Sequence, residues 1–419
     1  MEKLTGMPSE NYTRKGDKVN EEKLKGLAEH LETPSYLFDL ERLSNHIRHT
    51  REVIGNSYKL CFAMKANPFL VSAVSEYVDR LEVCSPGEYE ICIREGIVPD
   101  KIVVSGVSKT VESMRRILEY SGGKGIYTIE SLYQYEVLKA CFKKKDKKLK
   151  VILRLSSGNQ FGMDKQTLER VLSMNGQDEI MDIIGLHFYS GTQKKMKTIK
   201  KETDELNAYA LYLKQSYGIS KLELEYGPGL AVSYFQGEEQ AEEDILTEFK
   251  EALCGLREYD SICIELGRFL TAGSGYYFTQ IEDVKYTNDA RYIIVDGGIH
   301  QLNYFGQIMG MKKPGMILAK RKRTKDEPES ESDIQEIGNW QICGSLCTAN
   351  DVIVRGVTLP FPHKDDVIIF KNVGAYSVTE GMSMFLSREL PQIYIHAEDG
   401  AIRCIRKRIE TNLLNSKNI

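Results

Sequence analysis

The chain has almost no excess of either charge: 56 Lys and Arg stand against 60 Asp and Glu in 419 residues, a formal net charge of -4. That balance offers no broad cationic surface for nucleic acid or an anionic membrane, so the expected partner is a small molecule. No run approaches the ~20 consecutive apolar residues that a membrane-spanning helix needs. The polar start MEKLTGMPSENYTRKGDK lacks the apolar stretch of a secretory signal, and the expected location is the cytoplasm. Metal-ligand spacing is missing as well. The nine cysteines are scattered, and Cys343 and Cys347 have neither a second cysteine pair nor a paired histidine motif nearby. Most of them read as reduced, buried thiols, and no metal site is expected.

What is present is enough chain for two domains, with 42 % hydrophobic and 28 % charged residues, the balance of an ordinary globular protein. Between residues 58 and 268, eight short apolar or β-branched runs recur at intervals that each hold one helix. They are YKLCFAM, LEVCS, KIVVSG, GIYTIE, KVILRLS, IIGLHFYSG, LELEYGPG and SICIELGR. The intervening segments have helical spacing; after Glu130, for example, Leu132, Tyr135, Leu138 and Phe142 fall on one face. Eight βα units predict an α/β fold, a closed (β/α)8 TIM-type barrel, with chemistry at the carboxyl ends of the strands.

From about residue 276 the texture changes to strand-like pieces separated by turns, among them YYFTQIEDVKY, RYIIVDGG, WQICGS, DVIIFKNVG and QIYIHAED. These predict a C-terminal all-β domain. The early run SYLFDL is also strand-like and can pair with that domain from the other end of the chain. The expected division is an N-terminal segment 1–40 contributing to the β domain, a barrel over 41–275 and a β domain over 276–419. Residues 312–336, basic then acidic and Ser-rich, read as a solvated loop; docking of a protein or anionic carrier to Lys320–Arg323 is the alternative.

Several residues at the predicted strand ends admit both a plain and a chemical reading. Lys65 in FAMKANP is either an exposed charge or an amine that apolar neighbours keep neutral, able to condense with a carbonyl. Gly227 and Gly229 in EYGPGL form either a tight turn or a place where backbone N–H groups approach a phosphate. Glu265 and Arg268 in IELGR are either a surface ion pair or a carboxylate for a heterocyclic nitrogen beside a guanidinium. His187 and Ser190 in GLHFYSG offer a core histidine, or a ring to lie against an aromatic system with a hydroxyl for phosphate. Cys347 in GSLCTAND reads as an exposed loop thiol or a structural one.

Taken in order, from about Thr33 to about His396, these segments resemble the ornithine, diaminopimelate and arginine decarboxylases, which share the alanine-racemase-type barrel. The resemblance implies pyridoxal 5'-phosphate as cofactor, Lys65 as the lysine that bonds it, and His187 stacked on its ring. It implies Glu265 against the pyridine nitrogen, phosphate contacts from Ser190, Gly227, Gly229, Arg268 and Tyr376, and Gly267 among the cofactor-binding residues. Glu82, Glu88 and Arg154 match cofactor-proximal positions. Cys347 matches the catalytic cysteine, which in this family reaches the neighbouring subunit's site, so a homodimer with shared active sites is implied, and Asp351 fits the CxxxD spacing.

Departures from the family pattern bear on the substrate. Pro228 sits at the centre of the usual glycine triplet, and Leu266 stands where the Glu-Pro-Gly-Arg motif has proline. Thr348 follows Cys347 where enzymes acting on diamino substrates carry Asp or Glu to hold the distal ammonium. IHQLNYFG after VDGG lacks the Arg-Pro of diaminopimelate enzymes. The segments HFYSGTQ, FGMD and GRFLTAGSGYYFTQI look closer to a subgroup serving siderophore and antibiotic assembly, including decarboxylases of carrier-tethered or conjugated amino acids. Thr348 and Asp351 are then substrate-binding candidates. An amino-acid racemase on the same fold and a non-catalytic regulatory homologue are the rival readings.

Overall fold

The computed structural model describes residues 20–142, 147–178, 181–238, 240–321 and 337–417. They divide into two compact units. One runs over 46–232 and from residue 240 to Leu270; the other takes in the described residues up to Asn45, the stretch 233–238 and the chain from Thr271 onward.

After β1 (Ser35–Asp39), which belongs to the second unit, eight strands form the first. They are β2 (Lys59–Ala63), β3 (Arg80–Val83), β4 (Ile102–Val104), β5 (Ile126–Ile129), β6 (Leu149–Arg154), β7 (Met181–Tyr189), β8 (Glu223–Gly227) and β9 (Ser261–Leu266). All pair in parallel, and β2 pairs with β9, closing the barrel predicted from the eight apolar runs. The runs are nearly continuous in apolar character because both faces of such a strand are covered. Cys61, Val103, Ile126, Ile152 and Cys263 fill the interior as one buried cluster. Between the strands, helices start on good caps: Ser85 accepts from the Glu88 amide, and Thr110 and Ser113 cap each other's backbone reciprocally. Each such cap is worth about 1 kcal/mol. In the helix Leu132–Cys141, Tyr135 and Leu138 are fully buried, as the spacing required.

The second unit is a nine-stranded mixed sheet. Its later strands are β10 (Gly275–Thr287), β11 (Ala290–Val295), β12 (Met316–Ala319), β13 (Ile337–Cys343), β14 (Val352–Pro360), β15 (Val367–Lys371), β16 (Gln392–His396) and β17 (Ile402–Arg406). The order is β14-β13-β11-β10-β1-β16-β17, with β15 pairing β10 and β12. β1 lies antiparallel to β10, Tyr36 opposite Tyr277, and parallel to β16, Tyr36 opposite Ile393. The helix Glu21–Ala28 packs Leu24 and Leu27 into a core with Leu37, Phe278, Val367 and Tyr394.

Two sequence expectations need correction. The stretch 312–336 is not wholly a solvated loop: β12 pairs with β15, and Ile317 and Ala319 are buried. Four alternating apolar residues suffice for a covered strand, but flanking lysines swamp their signal in composition. In the basic run, Lys320 lies 3.5 Å from Asp366; residues 322–336 lie outside the described residues. All nine cysteines are free, yet only Cys61, Cys92 and Cys263 are buried, and Cys254 and Cys347 are exposed. Among the described residues no helix is long and apolar enough to cross a membrane.

Candidate active site

The carboxyl ends of the barrel strands bring together a buried charge cluster. Lys65 lies in the single 3-10 turn Met64–Ala66 that follows β2, and this turn projects its amine over the rim. Its Nζ lies 2.6 Å from Glu82 Oε2 on β3, 3.5 Å from Glu265 Oε1 on β9 and 3.7 Å from Cys84 Sγ. The Tyr189 ring lies 5.9 Å away. The expectation of apolar neighbours around Lys65 is therefore corrected: two buried carboxylates face it, because β3 and β9 flank β2 and end at the same level. Glu82, His187 and Glu265 offer ligand atoms all within 4.8 Å of one another, and the Lys65 ammonium engages two of these three.

His187 ends its strand 1 % exposed, with Nε2 3.0 Å from Glu265 Oε2 and no partner at Nδ1. Burial by itself would raise the Glu265 carboxyl. The Lys65 charge, the His187 hydrogen bond and Arg154 outweigh it and hold the group well below the usual carboxylate range. Arg154 Nη1 is 3.2 Å from Glu130 Oε2 and its guanidinium covers the Phe161 ring at 4.9 Å. Arg154 Nε and Glu130 Oε1 are buried without partners. Glu88 accepts from the Cys84 amide at 2.6 Å; burial raises its carboxyl, and the nearby Glu82 adds to the rise.

A second group of residues forms a cup at the ends of β7, β8 and β9. Gly229 has φ +61, and a Cβ there would strike the Gly191 carbonyl, so only glycine lets these two loops close. A Cβ on Gly227 would meet the Tyr189 ring. Ser190 donates to Glu202, and Arg268 Nε donates to Thr192 Oγ1 at 3.1 Å. Gly267 packs so that a Cβ would touch Ala63 and Ala66, which presses the β9 end against the Lys65 turn.

In the sheet unit, Cys347 is exposed in a turn whose backbone is tied down by Asp351. Asp351 is 2 % exposed, and its carboxylate accepts from the Ile299 amide at 2.9 Å and the Leu346 amide at 2.8 Å. Thr348 follows with its amide on the Leu346 carbonyl at 2.8 Å. Tyr376 adopts φ 67 at the start of a helical turn, a conformation that costs a non-glycine residue about 1 kcal/mol or more and recurs at functional sites.

Residues the sequence did not flag stand beside these. Glu130 orients Arg154; Thr192, Lys194 and Glu202 line the cup. Lys109, at the rim after β4, is buried on the Gly106 carbonyl and Gln134, and burial pulls its ammonium down to about 8. His300 is buried with neither ring nitrogen partnered, and burial brings it down to about 4. Only the 3.6- or 2-residue periods were legible in sequence; none of these positions departs from such a period.

The cluster fits pyridoxal phosphate. An amine stands at the rim beside a carboxylate held ionised, a histidine and an arginine keep unpartnered buried nitrogens, and a glycine cradle lies next to an arginine. Residues 40–272, more than half of the chain, match the pyridoxal binding domain of the pyridoxal-dependent decarboxylases. The chain belongs to this family. It is a carboxy-lyase, and its cofactor is pyridoxal phosphate.

Similar proteins span nearly the whole length. A 2-[(L-alanin-3-ylcarbamoyl)methyl]-2-hydroxybutanedioate decarboxylase of Staphylococcus aureus is 28 % identical, covering 86 % of this chain and 93 % of that protein. An L-glutamyl-[BtrI acyl-carrier protein] decarboxylase of Niallia circulans is 26 % identical, covering 93 % and 94 %. Among solved structures, diaminopimelate decarboxylase from Helicobacter pylori complexed with L-lysine superposes with a TM-score of 0.79 at 22 % identity, over 93 % of this chain and 98 % of that one.

Proposed function

We propose that the protein decarboxylates an amino acid that is part of a larger conjugate, tethered or covalently extended, and that diaminopimelate is not its substrate. The observation that carries this is Thr348, a neutral side chain directly after Cys347, which supplies no charge for a distal ammonium. Two relatives whose names describe amino-acid groups joined to a second moiety support it. A siderophore- or antibiotic-type biosynthetic role is the extension of this reading that the segments HFYSGTQ, FGMD and GRFLTAGSGYYFTQI suggest.

In this reading the cofactor, when bound, supplies the electron sink for the carbanion left by carbon dioxide. Lys65, the amine at the rim, would hold it. Glu265 holds a proton on the ring nitrogen, which its ionised state beside Lys65 and His187 allows. His187 would line the ring's site, its Nε2 keeping Glu265 in position. Glu82 and Arg154 fix the rim around it, with Glu88 behind them. Ser190, Gly227, Gly229, Arg268 and Tyr376 would hold the phosphate, with Gly267 packing the β9 end against the Lys65 turn. Cys347 delivers the proton that replaces the carboxylate, and Asp351 shapes the Cys347 turn through two backbone amides instead of touching the substrate.

A homodimer sharing its active sites is part of the proposal. The sheet unit exposes Phe305, Ile308, Met311, Met382, Phe385 and Leu413, each more than 40 % accessible, apolar side chains that a second copy would cover. Mixing inactive Lys65→Ala and Cys347→Ala proteins is then expected to restore activity, because some heterodimers assemble one intact site.

The deciding experiment presents the cofactor-loaded protein with free diaminopimelate, lysine, ornithine and glutamate beside carrier-bound glutamate and an alanin-3-yl amide of a hydroxytricarboxylate. Carbon dioxide and product mass are followed. Turnover confined to conjugates supports the reading; efficient turnover of diaminopimelate overturns it. A product that keeps its carboxylate would turn the assignment to racemisation.

A further inference from the structure

The cup at the ends of β7 and β8 contains an ion pair that the family resemblance did not assign. Lys194 Nζ lies 2.6 Å from Glu202 Oε2, and the two side chains are only 8 % and 9 % exposed. The same ammonium lies 2.9 Å from Ser190 Oγ and 3.4 Å from the Gly227 carbonyl. Its three N–H bonds thus point at three acceptors, two of them belonging to residues expected to bind phosphate. Its backbone is part of the cup too: the Lys194 amide donates to the Gly229 carbonyl at 2.9 Å. A Cβ on Gly229 would come 3.1 Å from Lys194 Cε, so the glycine gives the lysine stem its path.

Glu202 is placed as a competitor for the same donors. It accepts from Ser190 Oγ, from Lys194 and, at 2.7 Å, from Tyr226 OH. A serine hydroxyl has one proton. While Ser190 gives it to Glu202 it cannot give it to a phosphate oxygen, and two anions cannot share these donors without strong repulsion. A buried ammonium needs an anion beside it, and burial already pulls Lys194 below its ordinary value against the pull of Glu202.

From these contacts we propose that Lys194 is a further phosphate-binding cation of the cofactor cup and that Glu202 is a resident carboxylate whose hold on Ser190 and Lys194 the cofactor phosphate displaces. The pair keeps the cup neutral and closed when phosphate is away, and Tyr226 retains Glu202 when the donors turn. This rests on the assignment of pyridoxal phosphate to the barrel mouth.

The test is binding, measured without turnover. The full-length protein is dialysed against graded pyridoxal phosphate, and separately against pyridoxal, which has the aldehyde but no phosphate. Lys194→Met is expected to weaken pyridoxal phosphate on the order of tenfold or more, the worth of one charge-assisted hydrogen bond, and to leave pyridoxal unchanged. Glu202→Gln, which keeps the shape but not the charge, is expected to tighten pyridoxal phosphate. Lys194→Arg retains the cation and serves if the methionine variant fails to fold, with near-native affinity expected. Native affinity in Lys194→Met overturns the inference, as does equal weakening of both ligands by Lys194→Met and Glu202→Gln, which would mark the pair as a structural prop. Failure of the unaltered protein to bind pyridoxal phosphate would sink the cofactor assignment itself, a separate outcome.

Discussion

The barrel holds two charge clusters, one at each end of its strands, built from similar residues for different ends. At the carboxyl ends stand Lys65, Glu82, His187 and Glu265. At the amino ends stand Lys59, Arg80, Glu223 and Glu225: Arg80 Nη1 contacts Glu223 and lies 3.1 Å from Glu225 Oε2, while Lys59 reaches Glu223 at 2.9 Å. The lower cluster is organised by a guanidinium, which cannot give up its proton and holds a fixed fork. The upper one is organised by a lysine and an imidazole, both of which exchange protons and one of which can form a covalent bond. Charge pairs at the lower end lock the barrel; those at the upper end keep reactive groups poised. Each cluster joins two basic side chains to two acidic ones, so the count does not say which end is the site, whereas the chemistry of the basic groups does.

That contrast can be broken experimentally. Lys65→Ala is expected to abolish covalent cofactor attachment and lower decarboxylation by at least about a thousandfold, while thermal melting stays near that of the native protein. Reduction with borohydride followed by mass spectrometry checks the attachment. Arg80→Met is expected to do the reverse. It leaves buried Glu225 without its guanidinium and Glu223 with Lys59 alone, at a cost of about 3–5 kcal/mol, read by denaturant titration, with activity per folded molecule nearly retained. If Arg80→Met instead silences the folded enzyme, the lower cluster belongs to the site and the contrast fails.

Glu265→Gln is expected to lower decarboxylation by about a hundred- to a thousandfold without loss of bound cofactor, measured by single-turnover kinetics. The smallest effect concerns pH. Burial raises the Glu225 carboxyl to about 7, with the charge of Glu265 adding and Arg80 and His187 opposing. A carboxyl that holds its proton more tightly when folded makes stability fall as pH rises from its unfolded value, near 4.5, through about 7. Glu225→Gln is expected to flatten that part of the melting-temperature profile, and an unchanged slope would remove Glu225 as its cause.

The eight barrel strands were legible because each is a short apolar run buried on both faces and separated from the next by one helix. The sheet was read less completely. β17 carries IRCIR with every residue half-buried, so an edge strand alternates Arg with apolar residues and resembles a solvated segment. β14 contains Arg355 and Gly356 mid-strand, and β12 hides among lysines. Helix Glu21–Ala28 lay within a charged N-terminal stretch, and only its packing against the sheet core makes its three buried residues count.

What the sequence by itself determined is the kind of chemistry: strand periodicity set the barrel, strand ends set where Lys65, His187, Glu265 and Arg268 gather, and motif order set the family. Tertiary structure alone decided the surroundings of those groups. The carboxylates facing Lys65 and the Glu130 beside Arg154 come from other strand ends, and the Lys194–Glu202 pair, eight residues apart, meets only where the chain after β7 turns into the following helix. A one-dimensional pattern reports whether a residue is buried, but an electrostatic environment depends on distances that only the closed barrel establishes.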